Sequence, residues 1–248
     1  MLKNLLEKKV VFITGVGKGI GKSLLFKSIE QGAFVYGLTK SKKDVSKFNK
    51  IKNCKVFFGD TRKIKNVEKI FKLSLIEKRP IDCLINNAGS RQRIKFLNIK
   101  KKDLNDIFEN NFFSVFNITK LYSSYIIKNK IKASIVNVGS IVGQLGFNEL
   151  SGYASTKTAL IGFTKSFAVE MKNYKTRINL VNPGFIKTSY FKNFKKMNKL
   201  YKWTKSRTIS GKWGEPDDVS YLICFLLSSY SEYINGQIIN IDGGWTAS

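Results

Sequence analysis

Short apolar runs alternate with longer amphipathic segments from one end of this chain to the other, and that alternation limits the fold more than any other feature. Runs rich in Val, Ile and Phe at Lys9–Thr14, Ala33–Leu38, Lys55–Phe58, Asp82–Asn86, Ala133–Val138, Arg177–Asn182 and Gln237–Ile241 have strand length. Helical patterns lie between them near Ile20–Gln31, Ile64–Lys78, Asp103–Lys130, Tyr153–Asn173 and Pro216–Ser228. Strands joined by helix-length crossovers run parallel, and right-handed crossovers lay helices on both faces of the sheet. The expectation is an α/β fold: a doubly wound parallel sheet of seven strands with helices on both faces. With 248 residues, no internal repeat and no Gly/Ser-rich linker, residues 1–248 are expected to form a single domain.

One interval breaks the rhythm. Residues 185–214 carry no clear strand, and Tyr190, Phe191, Phe194, Met197, Leu200 and Tyr201 fall on one broad side of a helix. An insertion after a strand's carboxyl end is where a substrate lid sits in an open parallel sheet.

Composition removes whole classes of chemistry. The chain has no His, so Ser-His-Asp triads, Cys-His pairs and HExxH zinc helices are excluded, and any proton donor must be Tyr, Lys, Cys or a carboxylate. Cys54, Cys83 and Cys224 are widely spaced and form no CxxC pair, which argues against disulfides and structural zinc and fits a reducing compartment. No metal site is expected. The first predicted strand begins near Lys9, leaving no room for a cleavable leader, and the longest apolar stretch, Tyr221–Leu227, cannot span a bilayer. A cytoplasmic protein without a membrane partner is the expectation.

The formal net charge is +27, and all but six of the 44 Lys+Arg residues are lysine. Two readings compete: a surface selected for an acidic partner, or the amino-acid drift of an A/T-rich genome, whose codons also favour Asn, Ile, Phe and Tyr.

The first strand runs into Thr14-Gly15-Val16-Gly17-Lys18-Gly19-Ile20-Gly21. Glycines there let the backbone approach a pyrophosphate, and the free amides of the following helix attract phosphate, as in dinucleotide-binding Rossmann folds. A tight turn and nothing more is the bland alternative. After the second strand, where an acidic residue would hold ribose hydroxyls, the chain reads Leu38-Thr39-Lys40-Ser41-Lys42-Lys43. Lys40, Ser41 and Lys18 would welcome a ribose 2′-phosphate, pointing to NADP(H) over NAD(H); a solvated lysine loop is the competing reading.

Ser140, Tyr153 and Lys157 form the second constellation. Tyr153 and Lys157 stand four apart at the start of a predicted helix and share a face. A lysine ammonium beside a phenol favours tyrosinate, which would make Tyr153 a usable general acid without histidine. Ser140 follows the fifth strand, where its hydroxyl can hold a carbonyl oxygen. A Tyr-x-x-x-Lys pair alone is common on helix surfaces; its weight comes from company and order. The Gly-rich turn, Asn86-Asn87-Ala88-Gly89, Asn111, Ser140, Tyr153, Lys157 and Asn182-Pro183-Gly184 succeed one another in one chain.

These motifs, with the closing Asp242-Gly-Gly-Trp245, resemble the short-chain dehydrogenase/reductase family over essentially the whole length. Within it the chain is most similar to the 3-oxoacyl-[acyl-carrier-protein] reductases of type II fatty acid synthesis. The resemblance implies that Tyr153 donates the proton, that Ser140 orients the carbonyl, and that Lys157 holds the nicotinamide ribose. It implies that Asn111 holds a water linking Lys157 to solvent, and that Asn87, Ala88 and Gly89 line the cofactor ribose. Asp60, with Thr61 beside it, would meet the adenine, while Pro183, Gly184, Ile186 and Thr188 would lie along the nicotinamide. Asp60 can instead cap the following helix, and Asn86 and Asn137 can simply tie loops together.

The same resemblance implies an NADPH-dependent reduction of a 3-oxoacyl group on acidic acyl carrier protein, and a homotetramer built through the two long helices and the last strand. Eight bases and no acids occupy residues 192–212 (Lys192, Lys195, Lys196, Lys199, Lys202, Lys205, Arg207 and Lys212), a surface that would steer an acidic carrier. Interleaved with Phe194, Tyr201 and Trp203, the same bases also fit a single-stranded nucleic acid, the remoter alternative. Leu150 stands where those reductases often carry glutamine, and the carrier-docking bases are matched only by Lys128, Lys130, Lys132, Lys172 and Lys175 near two helix ends. A dehydrogenase for a sugar, small alcohol or other ketone is therefore the alternative substrate reading.

Overall fold

The computed structural model describes residues 4–189 and 191–247, with the side chains of Lys192 and Asn193 left aside. Seven strands form one parallel sheet: β1 (Val10–Thr14), β2 (Phe34–Thr39), β3 (Cys54–Phe58), β4 (Cys83–Asn86), β5 (Ala133–Val138), β6 (Thr176–Pro183) and β7 (Ile238–Ile241). Their order is β3-β2-β1-β4-β5-β6-β7. The chain winds outward from β1 through β2 to β3, then crosses to β4 on the other side of β1, so the β1/β4 boundary is the switch point where such sheets hold ligands.

The helices are α1 (Gly19–Glu30), α2 (Lys42–Phe48), α3 (Ile64–Ile76), α4 (Lys101–Phe108), α5 (Ser114–Lys128), α6 (Ser151–Glu170), α7 (Phe191–Lys195), α8 (Asn198–Arg207) and α9 (Pro216–Leu227). Because both faces of the sheet are covered, the strands read as continuous apolar runs, and their side chains divide alternately between two cores. Val11, Ile13 and Ile85 pack with Leu24 and Leu25 of α1 and Val219 and Ile223 of α9. Phe12 and Leu84 point the other way, against Val67 and Ile70 of α3, Ile118 and Tyr122 of α5, and Phe167 of α6. Each such side chain, wholly removed from water, contributes about 1.5–3 kcal/mol. The three cysteines are free thiols buried in this structure.

Three expectations are corrected. The helix expected over Asp103–Lys130 is interrupted by a π turn, Glu109–Phe113, between α4 and α5. Asn111 lies in that turn with no solvent exposure; such turns displace a side chain from the regular helical track, which periodicity cannot show. The lysine-rich stretch after β2 is not a plain loop, since α2 begins there with Ser41 as its N-cap, its hydroxyl accepting from the Asp44 amide at 3.2 Å. Finally, the segment expected as a lid forms two short helices, α7 and α8, instead of one. They break at Met197, which is exposed, and aromatic rings from both helices converge on Trp213. Tyr190, placed with that face in sequence, lies outside the described residues.

Candidate active site and cofactor cavity

At the switch point the carboxyl ends of β1, β2 and β4 surround a cavity of about 580 Å³. Its floor is the β1–α1 turn, Gly15, Gly17, Lys18, Gly19, Ile20 and Gly21; one wall is Thr39, Lys40, Ser41 and Asp44, another is Asn87, Ala88, Gly89 and Ser90. Thr61, Thr188 and Ser189 complete it. Glycine is required in the floor. A Cβ on Gly21 would stand 2.0 Å from the Gly15 carbonyl oxygen, and one on Gly15 would meet the Cα of Ala88 at 3.0 Å. The N-cap of α1, Lys18, makes no side-chain cap and the first turn holds no acid, so the leading amides of α1 remain available to an anion at the cavity. A floor without side chains, an uncapped helix start and flanking lysines together fit the diphosphate of a dinucleotide.

Asn87 clamps this turn, its Nδ2 donating to the carbonyls of Thr14 at 3.0 Å and Gly15 at 3.1 Å. Asp60, Pro183, Gly184 and Ile186 are not part of the lining. The Asp60 carboxylate meets Lys40 Nζ at 3.2 Å and Arg62 Nη2 at 2.6 Å. Burial works to raise its pKa, but these two cations win and hold it well below the usual carboxylate range. Nor does Asp60 cap α3, whose N-cap is Lys63. Gly184 lies against Asp242, and Ile186 is buried where it bridges to Gly214.

The candidate catalytic group adjoins the Gly89–Ser90 wall. A Cβ on Gly89 would lie 3.1 Å from Asn111 Oδ1 and 3.8 Å from Lys157 Nζ. Gly143 packs straight onto the backbone of Lys157, so the turn after β5 touches α6 and sets Ser140 beside Tyr153. Ser140 caps that turn, its Oγ accepting from Val142 N at 3.2 Å. Asn111 spends its amide on the backbone of Ser90, accepting at 2.8 Å and donating at 2.9 Å, and on Thr156 Oγ1 at 3.2 Å. Its side chain therefore ties the β4 loop to α6.

The charge relation expected between Lys157 and Tyr153 is also corrected. Lys157 is 6% exposed and donates to the Val138 carbonyl at 2.8 Å, with its Nζ 5.9 Å from the centre of the Tyr153 ring. Burial pushes its pKa down to about 8. Burial likewise raises the Tyr153 phenol, against a hydrogen bond with Ser140 and the charge of Arg91, both of which act to lower it. The groups easing the phenol toward ionisation in this structure are Ser140 and Arg91.

The sequence motifs gave no role to Asp44, Arg91 or Trp213. Asp44 lines the cavity, and its Oδ2 would lie 2.6 Å from a Cβ on Gly17; the Ser41-x-x-Asp44 capping spacing was the available signal. Asn86 and Asn137 are buried ties, Asn86 Nδ2 donating to Asn137 Oδ1 at 2.9 Å and Asn137 Nδ2 to Thr164 Oγ1 at 3.0 Å. Beyond β6, Phe185, Phe191, Phe194, Tyr201 and Trp213 pack in one aromatic cluster that Trp245 joins through Phe185, with Phe194, Trp213 and Trp245 no more than 4% exposed.

A family model described as enoyl-(acyl carrier protein) reductase matches residues 15–246. The chain is 35% identical to the 3-oxoacyl-[acyl-carrier-protein] reductase FabG of Thermotoga maritima, covering 96% of this chain and 98% of that protein. It is 30% identical to a 2-dehydro-3-deoxy-D-gluconate 5-dehydrogenase of Bacillus subtilis over 97% and 95% of the two chains. Among solved structures, 4-hydroxyisoleucine dehydrogenase complexed with NADH superposes with a TM-score of 0.90 at 29% identity, covering 97% of this chain and 99% of that one. ElxO with NADP bound gives 0.89 at 28% identity, with the same coverage.

Proposed function

The chain belongs to the short-chain dehydrogenase/reductase family, and from that premise we propose that it reduces the keto group of a 3-oxoacyl chain carried on acyl carrier protein, using NADPH. The observation that carries the reading is the placement of Ser140, Tyr153 and Lys157 beside a glycine-floored cavity at the sheet's switch point. The floor amides would hold the diphosphate and Asn87–Gly89 a ribose; Lys18, Lys40 and Ser41 would meet a 2′-phosphate. Bound there, the dinucleotide supplies the hydride for the ketone carbon.

The chain's residues do the rest. Ser140 and Tyr153 hold the substrate oxygen from two donors, and Tyr153 gives it a proton as negative charge develops. Burial keeps the phenol protonated until that moment, which suits an acid. Lys157, whose pKa burial brings down to about 8, can pass a proton back toward the phenolate. Positioning of the ketone against these groups adds to the acid catalysis.

The exposed lid lysines Lys195, Lys196, Lys199, Lys202, Lys205 and Lys212 make no ion pair among the described residues and form the docking face for the acidic carrier; the side chain of Lys192 lies outside the described residues. Assembly is through α5, the π turn that leads into it, and α6, where Phe116, Phe113 and Val169 are 41%, 44% and 69% exposed. A sugar-acid dehydrogenase is the second reading, favoured by the Bacillus subtilis relative.

The test is NADPH oxidation with acetoacetyl-carrier protein, acetoacetyl-CoA and a panel of keto sugar acids and small ketones. Preference for the carrier-bound thioester is expected. Preference for a sugar acid would transfer the assignment to the second reading, and full turnover by Tyr153→Phe would remove the proposed acid.

A further inference from the structure

We propose that Asn182, Asn240 and Thr246 are positioning residues for Ser140, forming a side-chain relay from the C-terminal turn to the backbone of that serine. The inference rests on the reading of Ser140 as the group that orients the substrate oxygen. The relay starts at Asp242, whose Oδ1 accepts from Gly244 N at 2.9 Å and whose Oδ2 accepts from Thr246 N at 2.9 Å and Thr246 Oγ1 at 2.7 Å. An ionised carboxylate only accepts, so the Thr246 hydroxyl must spend its proton on it and offer a lone pair elsewhere. Asn240 Nδ2 donates to that lone pair at 3.0 Å. Asn240 Oδ1 is thereby turned toward Asn182 and accepts from its Nδ2 at 3.1 Å. Asn182 Oδ1 in turn accepts from the Ser140 amide at 2.9 Å.

Each link dictates the orientation of the next, so one carboxylate sets the direction of the whole chain. The path crosses the sheet at the strands' carboxyl ends, and Asn182 and Asn240 are register partners on β6 and β7. Asn182 is wholly buried, where an apolar side chain would pack without needing partners; what the polar chain adds is an acceptor aimed at one amide. Space is reserved for it as well, since a Cβ on Gly139 would stand 2.1 Å from Asn182 Oδ1.

Ser140 is consequently gripped twice, by Asn182 at its N–H and by the Val142 amide at its Oγ. Its own hydroxyl proton faces the Tyr153 phenol and is the one it would turn to a substrate oxygen. The turn that anchors the relay also carries Trp245, 1% exposed among the lid aromatics Phe185 and Trp203, so the relay's base is seated in the lid.

The experiment uses Asn240→Leu and Thr246→Val in the full chain, with the substrate that the wild type turns over best. Expected are falls in kcat of about tenfold and about threefold, with KM and the NADPH Kd (from cofactor fluorescence) changed by less than about twofold, because a small misplacement of a positioned group costs rate more than binding. Thr246→Ser restores the rate. In a Ser140→Ala background Asn240→Leu lowers kcat no further; an equal fall there, or a matching loss of NADPH affinity, overturns the proposal. If Asn240→Leu does not fold, the Thr246 pair decides. A second readout needs no substrate: the Tyr153 resonance in carbon-13 tyrosine spectra, assigned with Tyr153→Phe, titrates at higher pH in both variants as the Ser140 hydrogen bond loosens. An unmoved titration overturns the relay. A wild type inactive on every carbonyl compound defeats the functional reading instead, and leaves this measurement to stand on its own.

Discussion

The cofactor cavity and the lid meet at Thr188, yet they are built from opposite materials. The cavity floor is backbone: four glycines in seven residues, with no room for a side chain at Gly21. The lid is side chain: Phe185, Phe191, Phe194, Tyr201 and Trp213 packed ring against ring under an exposed lysine surface. A site that must recognise a diphosphate needs fixed amides at close range, and only glycine permits that approach. In the proposed role as a cover for the substrate, aromatic rings supply broad area with few rotatable bonds. The floor should accordingly fail abruptly when changed, and the lid by degrees.

The sharpest way to break that contrast is Gly21→Ala. Its Cβ would meet backbone at 2.0 Å, so NADPH affinity in a fluorescence titration is expected to fall more than about a hundredfold, or the fold to fail in circular dichroism. Gly146→Ala, where a Cβ meets nothing within 4 Å, should bind like the wild type. Near-normal binding by Gly21→Ala would mean that the floor is not the rigid cradle described.

In the lid, Trp213→Ala removes a ring 4% exposed whose Nε1 donates to Thr204 Oγ1 at 2.8 Å. A loss of about 3–5 kcal/mol in denaturant unfolding is expected, with KM for the substrate raised while NADPH binding holds. Weakened NADPH binding of equal size would show that floor and lid are one unit.

Lys157 lies between the two regions and gives the comparison a pH axis. Its amine has a value near 8 in the fold against 10.5 for an ordinary lysine, so between those pH values the unfolded chain binds more protons. The wild type therefore gains stability from this residue as pH rises from about 8 to 10.5, by about 3 kcal/mol in all, and the penalty is full below 8. Lys157→Met in cofactor-free protein should be the more stable below pH 8, its advantage shrinking above; a pH-independent difference would contradict the burial argument.

Smallest is the reversal of the lid surface, Lys199→Glu with Lys202→Glu and Lys205→Glu. The KM for a carrier-bound substrate should rise about tenfold at low salt and less at high salt, while a CoA-bound substrate is untouched. Equal change for both substrates would place the carrier elsewhere.

Much of the cavity could be read from the chain because its information is local. Gly15, Gly17, Gly19 and Gly21 follow a strand and open a helix within a few residues, and strand length and helical spacing are local too. Asp44 was given no role although its capping spacing from Ser41 is also local, since Lys40, Lys42 and Lys43 pointed to a 2′-phosphate. Sequence was least informative where distance along the chain was large. Asp60 faces Arg62, two residues on, and Lys40, which the pairing of β2 with β3 brings to it, and stands outside the lining. The two helices at 191–207 are drawn together on Trp213, which lies beyond both.

By itself the sequence determined the alternation of strand and helix, the glycine floor, the absence of histidine chemistry and the Tyr153–Lys157 pair on one helix face, since each depends on neighbours within a few positions. Tertiary structure alone decided that Lys157 is desolvated and bound to Val138, that Ser140 and Arg91 are what ease the Tyr153 phenol, and that a line of amides reaches Ser140 from Asp242. Burial and the direction of a hydrogen bond are properties of surroundings that residues 40 or more positions away, such as Asn182 at Ser140, bring together only when the sheet closes.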